Sequence, residues 1–218
     1  MLKTIKNLFG LLVDTILPPR TNFAIVKKLD EKTFSTIPEG PPVEHMGWIH
    51  PLFPYKDKRI QAVIWELKYR ENALPLPHLG RLLYEEIIAI ISDVSIFDGD
   101  AKFLLIPIPI SKERRVERGY NQSELIAKAV LENDPNHILL YAPQWFVKIK
   151  DTPSQSHSQS KQERVQNLVG CFEADPRMEG KYVILIDDVV TTGSTLMEAR
   201  TTLLSAGARD VFAFTIAH

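Results

Sequence analysis

Apolar positions in this chain follow two rhythms. Helical spacing runs through Ile60, Val63, Ile64 and Leu67, then through Leu79, Leu82, Leu83, Ile87, Ile88 and Ile91, and again through Leu125, Ile126, Ala129 and Val130. Near-continuous apolar runs occur at Phe103–Ile106, Val183–Ile186 and Val211–Ile216. Such runs read as strands buried on both faces, the habit of a parallel sheet. Trp145–Ile149 reads as a further strand, and Val169, Cys171 and Phe172 alternate as a short one. Strands alternating with helices over residues 103–216 predict a parallel α/β sheet with right-handed crossovers.

Punctuation sharpens the outline. Lys68-Tyr69-Arg70 puts positive charge at the end of the helix that starts near Arg59, where it suits the negative pole. Proline cannot donate in a ladder, so the strand leading to Pro107 and Pro109 is expected to stop near Ile106. Gly207 suits the C-cap of the helix that begins at Leu196. From Thr21 to Pro54 the prolines at 38, 41, 42, 51 and 54, with Gly40 and Gly47, predict a loop-rich arm or hood. Ahead of it, Leu8, Leu11, Leu12 and Ile16 share a helical face. Asp14 interrupts that run, no small-residue cleavage site follows, and the run is too short to span a bilayer. A short amphipathic helix and a cytoplasmic protein are therefore expected. The organisation read from these boundaries is an N-terminal helix and arm over residues 1–54, then an α/β domain over 55–218.

Composition removes several classes of function. The 218 residues are 44% hydrophobic and 24% charged, as in an ordinary globular protein. A net charge of −1 leaves no global basic field, so any nucleic-acid contact needs a local patch. The single Cys171 excludes internal disulfides and a multi-cysteine zinc site, and it reads as a small core residue. His45 and His50 lack a third ligand at useful spacing. Neither the Gly-x-x-x-x-Gly-Lys of P-loop nucleotidases nor the Gly-x-Gly-x-x-Gly of dinucleotide enzymes occurs.

The densest chemistry lies after the second apolar run, in Asp187-Asp188-Val189-Val190-Thr191-Thr192-Gly193-Ser194-Thr195. Two carboxylates at the carboxyl end of a buried strand lie where ligands of open α/β sheets bind. They offer hard oxygen acceptors for hydroxyls or a hydrated Mg²⁺. Gly193, Ser194 and Thr195 open a helical pattern, whose unpaired N–H groups and dipole make a phosphate seat. The threonine and serine hydroxyls add donors. A second charged stretch, Ser111–Gln122, follows the Phe103 strand and reads as a basic loop carrying Lys112, Arg114, Arg115 and Arg118. In a parallel sheet it shares an end with the acid pair and can receive a second anionic group. A third segment, Asp151–Arg164, is Ser/Gln-rich without periodicity, which suits either a surface loop or a lid between two core strands.

Four segments together resemble the ComF family, a phosphoribosyltransferase-like group tied to competence for DNA uptake. They are Leu67-Lys68-Tyr69-Arg70; Ile106–Pro109 with Arg115–Gln122; Asp151–Gln155 with Arg164 and Asn167; and Val183–Thr195 with Ala206-Gly207-Ala208. The resemblance implies a type I phosphoribosyltransferase fold and Mg²⁺-dependent binding of phosphoribosyl pyrophosphate. It further implies pentosyl transfer to an acceptor, with pyrophosphate leaving the anomeric carbon. Asp187 and Asp188 would hold the ribose hydroxyls and, through water, Mg²⁺. Val189, Val190 and Thr191–Thr195 would complete the ribose-phosphate loop. Pro109, Ile110, Arg115 and Arg118 would face the pyrophosphate, with Arg118 joining the two acids as a catalytic candidate. Thr152, Gln155, Lys161 and Arg164 would belong to the mobile loop. The cysteine-rich zinc module with which such proteins commonly begin has no counterpart around Leu17–Arg20. An alternative role is a non-catalytic factor for single-stranded DNA or a competence helicase, using the basic stretch with Tyr120 for stacking.

Overall fold

The computed structural model describes residues 21–150 and 169–218. Its centre is a five-stranded sheet of order β1-β7-β6-β2-β3, parallel throughout. The strands are β1 (Ile49–Phe53), β2 (Phe103–Pro107), β3 (Leu139–Tyr141), β6 (Tyr182–Val189) and β7 (Asp210–Ala217). A separate antiparallel ribbon joins β4 (Phe146–Lys148) to β5 (Phe172–Ala174). The α/β class and parallel sheet agree with the sequence, and the architecture is consistent with a type I phosphoribosyltransferase-like fold.

Alternate residues of the central strands feed two apolar layers. Phe103 and Leu105, Ile184 and Ile186, and Phe214 and Ile216 face one side. There they meet α3 (Lys58–Arg70), α4 (Leu76–Phe97) and α6 (Gln122–Leu131). Leu104 and Ile106, Val183 and Leu185, and Val211 and Ala213 face the other side. They pack against α7 (Ser194–Ser205) and the ribbon, through Leu196, Ala199, Leu203, Phe146 and Phe172. Burial on both faces is why these strands carry no polar alternation. Cys171 is fully buried in the second layer.

Helices α4 and α6 approach unusually closely at Gly80. A Cβ there would lie 2.3 Å from the Ala129 carbonyl oxygen and 2.5 Å from its carbon, both backbone atoms that cannot rotate away. Gly80→Ala is therefore expected to destabilise by about 1–3 kcal/mol, the usual cost of overpacking. Denaturant melts read this directly, and unchanged stability would mean that the helices separate freely.

Several expectations need correction. Thr21–Pro54 is not merely loop: it holds α1 (Thr21–Val26), α2 (Glu31–Phe34) and the edge strand β1, paired with β7. Pro51 is tolerated in β1 because an edge strand leaves one side of its backbone without a ladder. The basic stretch is not a loop but a helix, α5 (Lys112–Arg118). The Ser111 hydroxyl accepts from Arg114 N–H at 3.3 Å at one end, and Gly119 closes the other at φ 83°. The runs beside residues 151–168 form the ribbon rather than core strands, and β3 is an additional edge strand. β2 extends one residue beyond Ile106, with Pro107 opposite Ile186. The N-terminal amphipathic helix and the segment containing Thr152, Gln155, Lys161 and Arg164 lie outside the described residues.

Candidate functional site

Parallel pairing sends β2 and β6 to the same sheet edge, where Pro107 sits opposite Ile186 and Ile108 N–H donates to the Ile186 carbonyl at 2.9 Å. The chain after β2, with half-buried Pro109 and Ile110, is thereby brought beside the acid pair. Asp187 is partly buried and Asp188 buried at 9% exposure. Asp187 Oδ1 accepts from the Ser123 hydroxyl and from the Asp188 N–H, each at 2.9 Å. Asp188 Oδ2 lies 3.1 Å from Lys68 Nζ.

These donors come from elements stitched together at the site. Tyr120 Oη donates to the Leu67 carbonyl and accepts from Glu71 N–H, both at 2.8 Å. Gln122 Nε2 donates to the Lys68 carbonyl at 3.5 Å. Asn121 caps α6, accepting from Ser123 N–H at 3.1 Å, while its amide donates to the Ile108 carbonyl at 3.0 Å. The end of α3, the start of α6 and the end of β2 are thus one hydrogen-bonded unit around the two carboxylates. The sequence reading takes Lys68 only as helix-end charge and part of the family resemblance and does not mark Ser123, since no spacing places residues 68 and 123 beside 187 and 188.

Burial raises the Asp187 carboxyl to about 7, and the neighbouring charge of Asp188 pushes the same way. The Asp188 N–H, the Ser123 hydroxyl and the Lys68 ammonium oppose this shift.

The Asp187–Thr195 loop runs from β6 into α7 as expected. Gly193 adopts φ 72° at the helix start, and Met197 N–H donates to its carbonyl at 2.8 Å. Thr192 and Ser194 hydroxyls lie 2.9 Å apart. Gly193 at the N-cap has no side chain to offer α7, and Ser194 N–H donates to Thr192 Oγ1 at 3.5 Å, a long contact that a stronger acceptor can replace. Met46 covers Gly193 from the arm, as a Cβ there would lie 2.6 Å from its sulfur. Val190 is buried, whereas Thr191 is exposed and Thr192, Ser194 and Thr195 are half-buried or buried only in part.

Of the basic residues, Arg115 pairs with Glu124, and Arg118 Nη1 donates to Gln122 Oε1 at 3.1 Å. Helix α5 buries none of its residues, which leaves Lys112 and Arg115 exposed to solvent.

Carboxylate oxygens suit Mg²⁺, but two of them fall short of a full cage. Among the described residues no group of three or more His, Cys, Asp or Glu side chains is placed to hold a metal. Asp187 and Asp188 are the carboxylates that would hold Mg²⁺ through water, and Asp188 is already paired with Lys68. Among the described residues no helix is long and apolar enough to cross a membrane.

Parallel sheet, strand-end acid pair and hydroxyl-lined helix entry form an α/β protein whose architecture is consistent with a type I phosphoribosyltransferase-like fold. No family model matches the chain. Similar proteins are known by sequence. Competence protein ComFC of Bacillus subtilis is 37% identical over 121 residues, covering 54% of this chain and 45% of that protein. DNA utilization protein YhgH of Shigella flexneri is 30% identical over 156 residues, covering 70% and 64%. Competence protein F of Haemophilus influenzae is 34% identical over 112 residues, covering 49% and 46%. These relatives support assignment of the chain to the ComF family. The chain spans about half to under two thirds of the length of these curated relatives.

Proposed function

We propose that the chain binds phosphoribosyl pyrophosphate with Mg²⁺ and transfers its phosphoribosyl group to an acceptor, in a role connected with DNA uptake or use. The names of the competence and DNA utilization relatives support that setting. One observation carries the ligand: an acid pair, Asp187 partly buried and Asp188 buried, leads directly into a glycine-started helix lined with hydroxyls. In this reading Asp187 and Asp188 take the ribose hydroxyls, and Thr191–Thr195 with the α7 N–H groups take the 5′-phosphate. Pro109, Ile110, Arg115 and Arg118 form the pyrophosphate side. Mg²⁺, held through water by Asp187 and Asp188, would supply charge neutralisation on the leaving group, and Arg115 and Arg118 would add to it. Asp187 and Asp188 orient the sugar and place negative charge near its electron-poor carbon. As the acceptor nucleophile bonds to the anomeric carbon, the bond to pyrophosphate oxygen breaks and the electron pair leaves with pyrophosphate.

Ligand that binds only the native state must stabilise it. Phosphoribosyl pyrophosphate with Mg²⁺ should raise the melting temperature by several degrees at about 100 times its dissociation constant. No shift at saturation rejects the reading. A second reading, a single-strand or helicase platform, draws on the solvent-facing basic helix α5. Strand binding with a steep salt dependence, lost on charge reversal at Arg114 and Arg115, would favour it.

A further inference from the structure

We propose that Lys68 is a positioning residue which occupies the acid pair in the free chain and passes to phosphate oxygens when ligand arrives, keeping a bare divalent cation off the acids. The proposal rests on the ligand reading above, because it concerns the same two carboxylates.

Adjacent carboxylates at a strand end would ordinarily attract a free cation. Here Asp188 already has its counter-charge, an ammonium at 3.1 Å from Oδ2. Asp187 Oδ1 is taken by the Ser123 hydroxyl and the Asp188 N–H. A bare Mg²⁺ approaching these acids would meet the ammonium at close range, and like charges at such distances repel strongly in a partly buried site. A diphosphate or phosphorylated sugar changes the balance, since it offers the ammonium new anionic partners as it brings its own metal.

Lys68 is built for such a transfer. Its backbone is fixed: the Leu67 and Lys68 carbonyls accept from Tyr120 and Gln122, and the Glu71 N–H donates to Tyr120. Its head is not enclosed, with 28% of the side chain exposed on a flexible four-carbon stem. Those three hydrogen bonds dock the end of α3 without help from the ammonium. A purely structural ion pair would therefore duplicate a junction already made.

The test begins with Mg²⁺ alone. Thermal melts of the full chain in millimolar MgCl₂ should show almost no shift, whereas Lys68→Met should gain a clear one and Lys68→Arg should behave like the parent. Equal responses of parent and Lys68→Met overturn the proposal. Should Lys68→Met fail to fold because Asp188 is left without its counter-charge, inorganic pyrophosphate titrated in EDTA decides in variants where that carboxylate is neutral. Asp188→Asn releases the ammonium and should tighten pyrophosphate, and adding Lys68→Met to it should weaken binding roughly tenfold, as for loss of a charged hydrogen bond. No difference between those two variants overturns the proposal equally. A chain that ignores phosphoribosyl pyrophosphate yet gives these responses keeps the role of Lys68 and loses the ligand reading. One that binds the sugar diphosphate, with Lys68→Met unchanged towards Mg²⁺, loses only the role of Lys68.

Discussion

Asp187→Asn should make the ligand-free chain more stable at pH 8 while removing its response to phosphoribosyl pyrophosphate. The asparagine oxygen can still accept from Ser123 and from the Asp188 N–H, so the fold keeps both hydrogen bonds. What disappears is an ionised carboxyl held in a buried site next to a second acid. Its folded value of about 7 stands above the unfolded 3.8, so the native state binds the proton more tightly than the unfolded state. Stability from this group is accordingly fullest below the unfolded value, falls as pH rises from there, and is lost above the folded one. The difference between about 7 and 3.8 corresponds to at most about 4 kcal/mol at alkaline pH. Each kcal/mol moves the midpoint by about 2–4 °C in a chain of this size. Melting curves of parent and variant should thus coincide near the acid end and separate as pH rises. A gap independent of pH would show that Asp187 is not held in this way. A side chain retained against stability points to use of its charge, a common cost at functional sites.

Gly193→Ala should cut ligand stabilisation by about half or more, at a modest expense in fold stability. At φ 72° an alanine is strained, by about 1 kcal/mol or somewhat more. The added Cβ would also lie 2.6 Å from the Met46 sulfur and 3.0 Å from its methyl carbon. Methionine is unbranched and can swing aside, so the backbone term dominates. The first turn of α7 then shifts, taking with it the N–H donors and the Thr192–Ser194 pair. Affinity should drop by about tenfold or more, as expected when roughly 1.4 kcal/mol of donor interactions is lost. Adding Met46→Ala should restore little, because it leaves φ untouched. Full restoration would assign the defect to crowding instead.

What could be read from the sequence follows what is repetitive in it. β2, β6 and β7 were legible because both their faces are buried, which leaves continuous apolar runs. Helices α3, α4 and α6 were legible from one apolar stripe each. Helix α5 was hidden because it buries nothing and so has no stripe. Only its ends gave signals: Ser111 before it, Glu113 in the first turn, Arg115 and Arg118 in the last, Gly119 beyond. β1 was masked by Pro51, which an edge position permits, and β3 by its length of three residues. In the site, Asp187–Thr195 was legible since local order in the chain creates the loop. Lys68 and Ser123 were not, because their approach to the acids depends on how α3 and α6 lie across the sheet.

The position of β7 between β1 and β6 has a consequence for biosynthesis. While the chain is emerging from a ribosome, residues 49–53 have no strand to join until residues 210–217 follow them out. All of residues 54–209 must appear before that seam can close, so the early segment waits unpaired during translation until β7 joins it to β6.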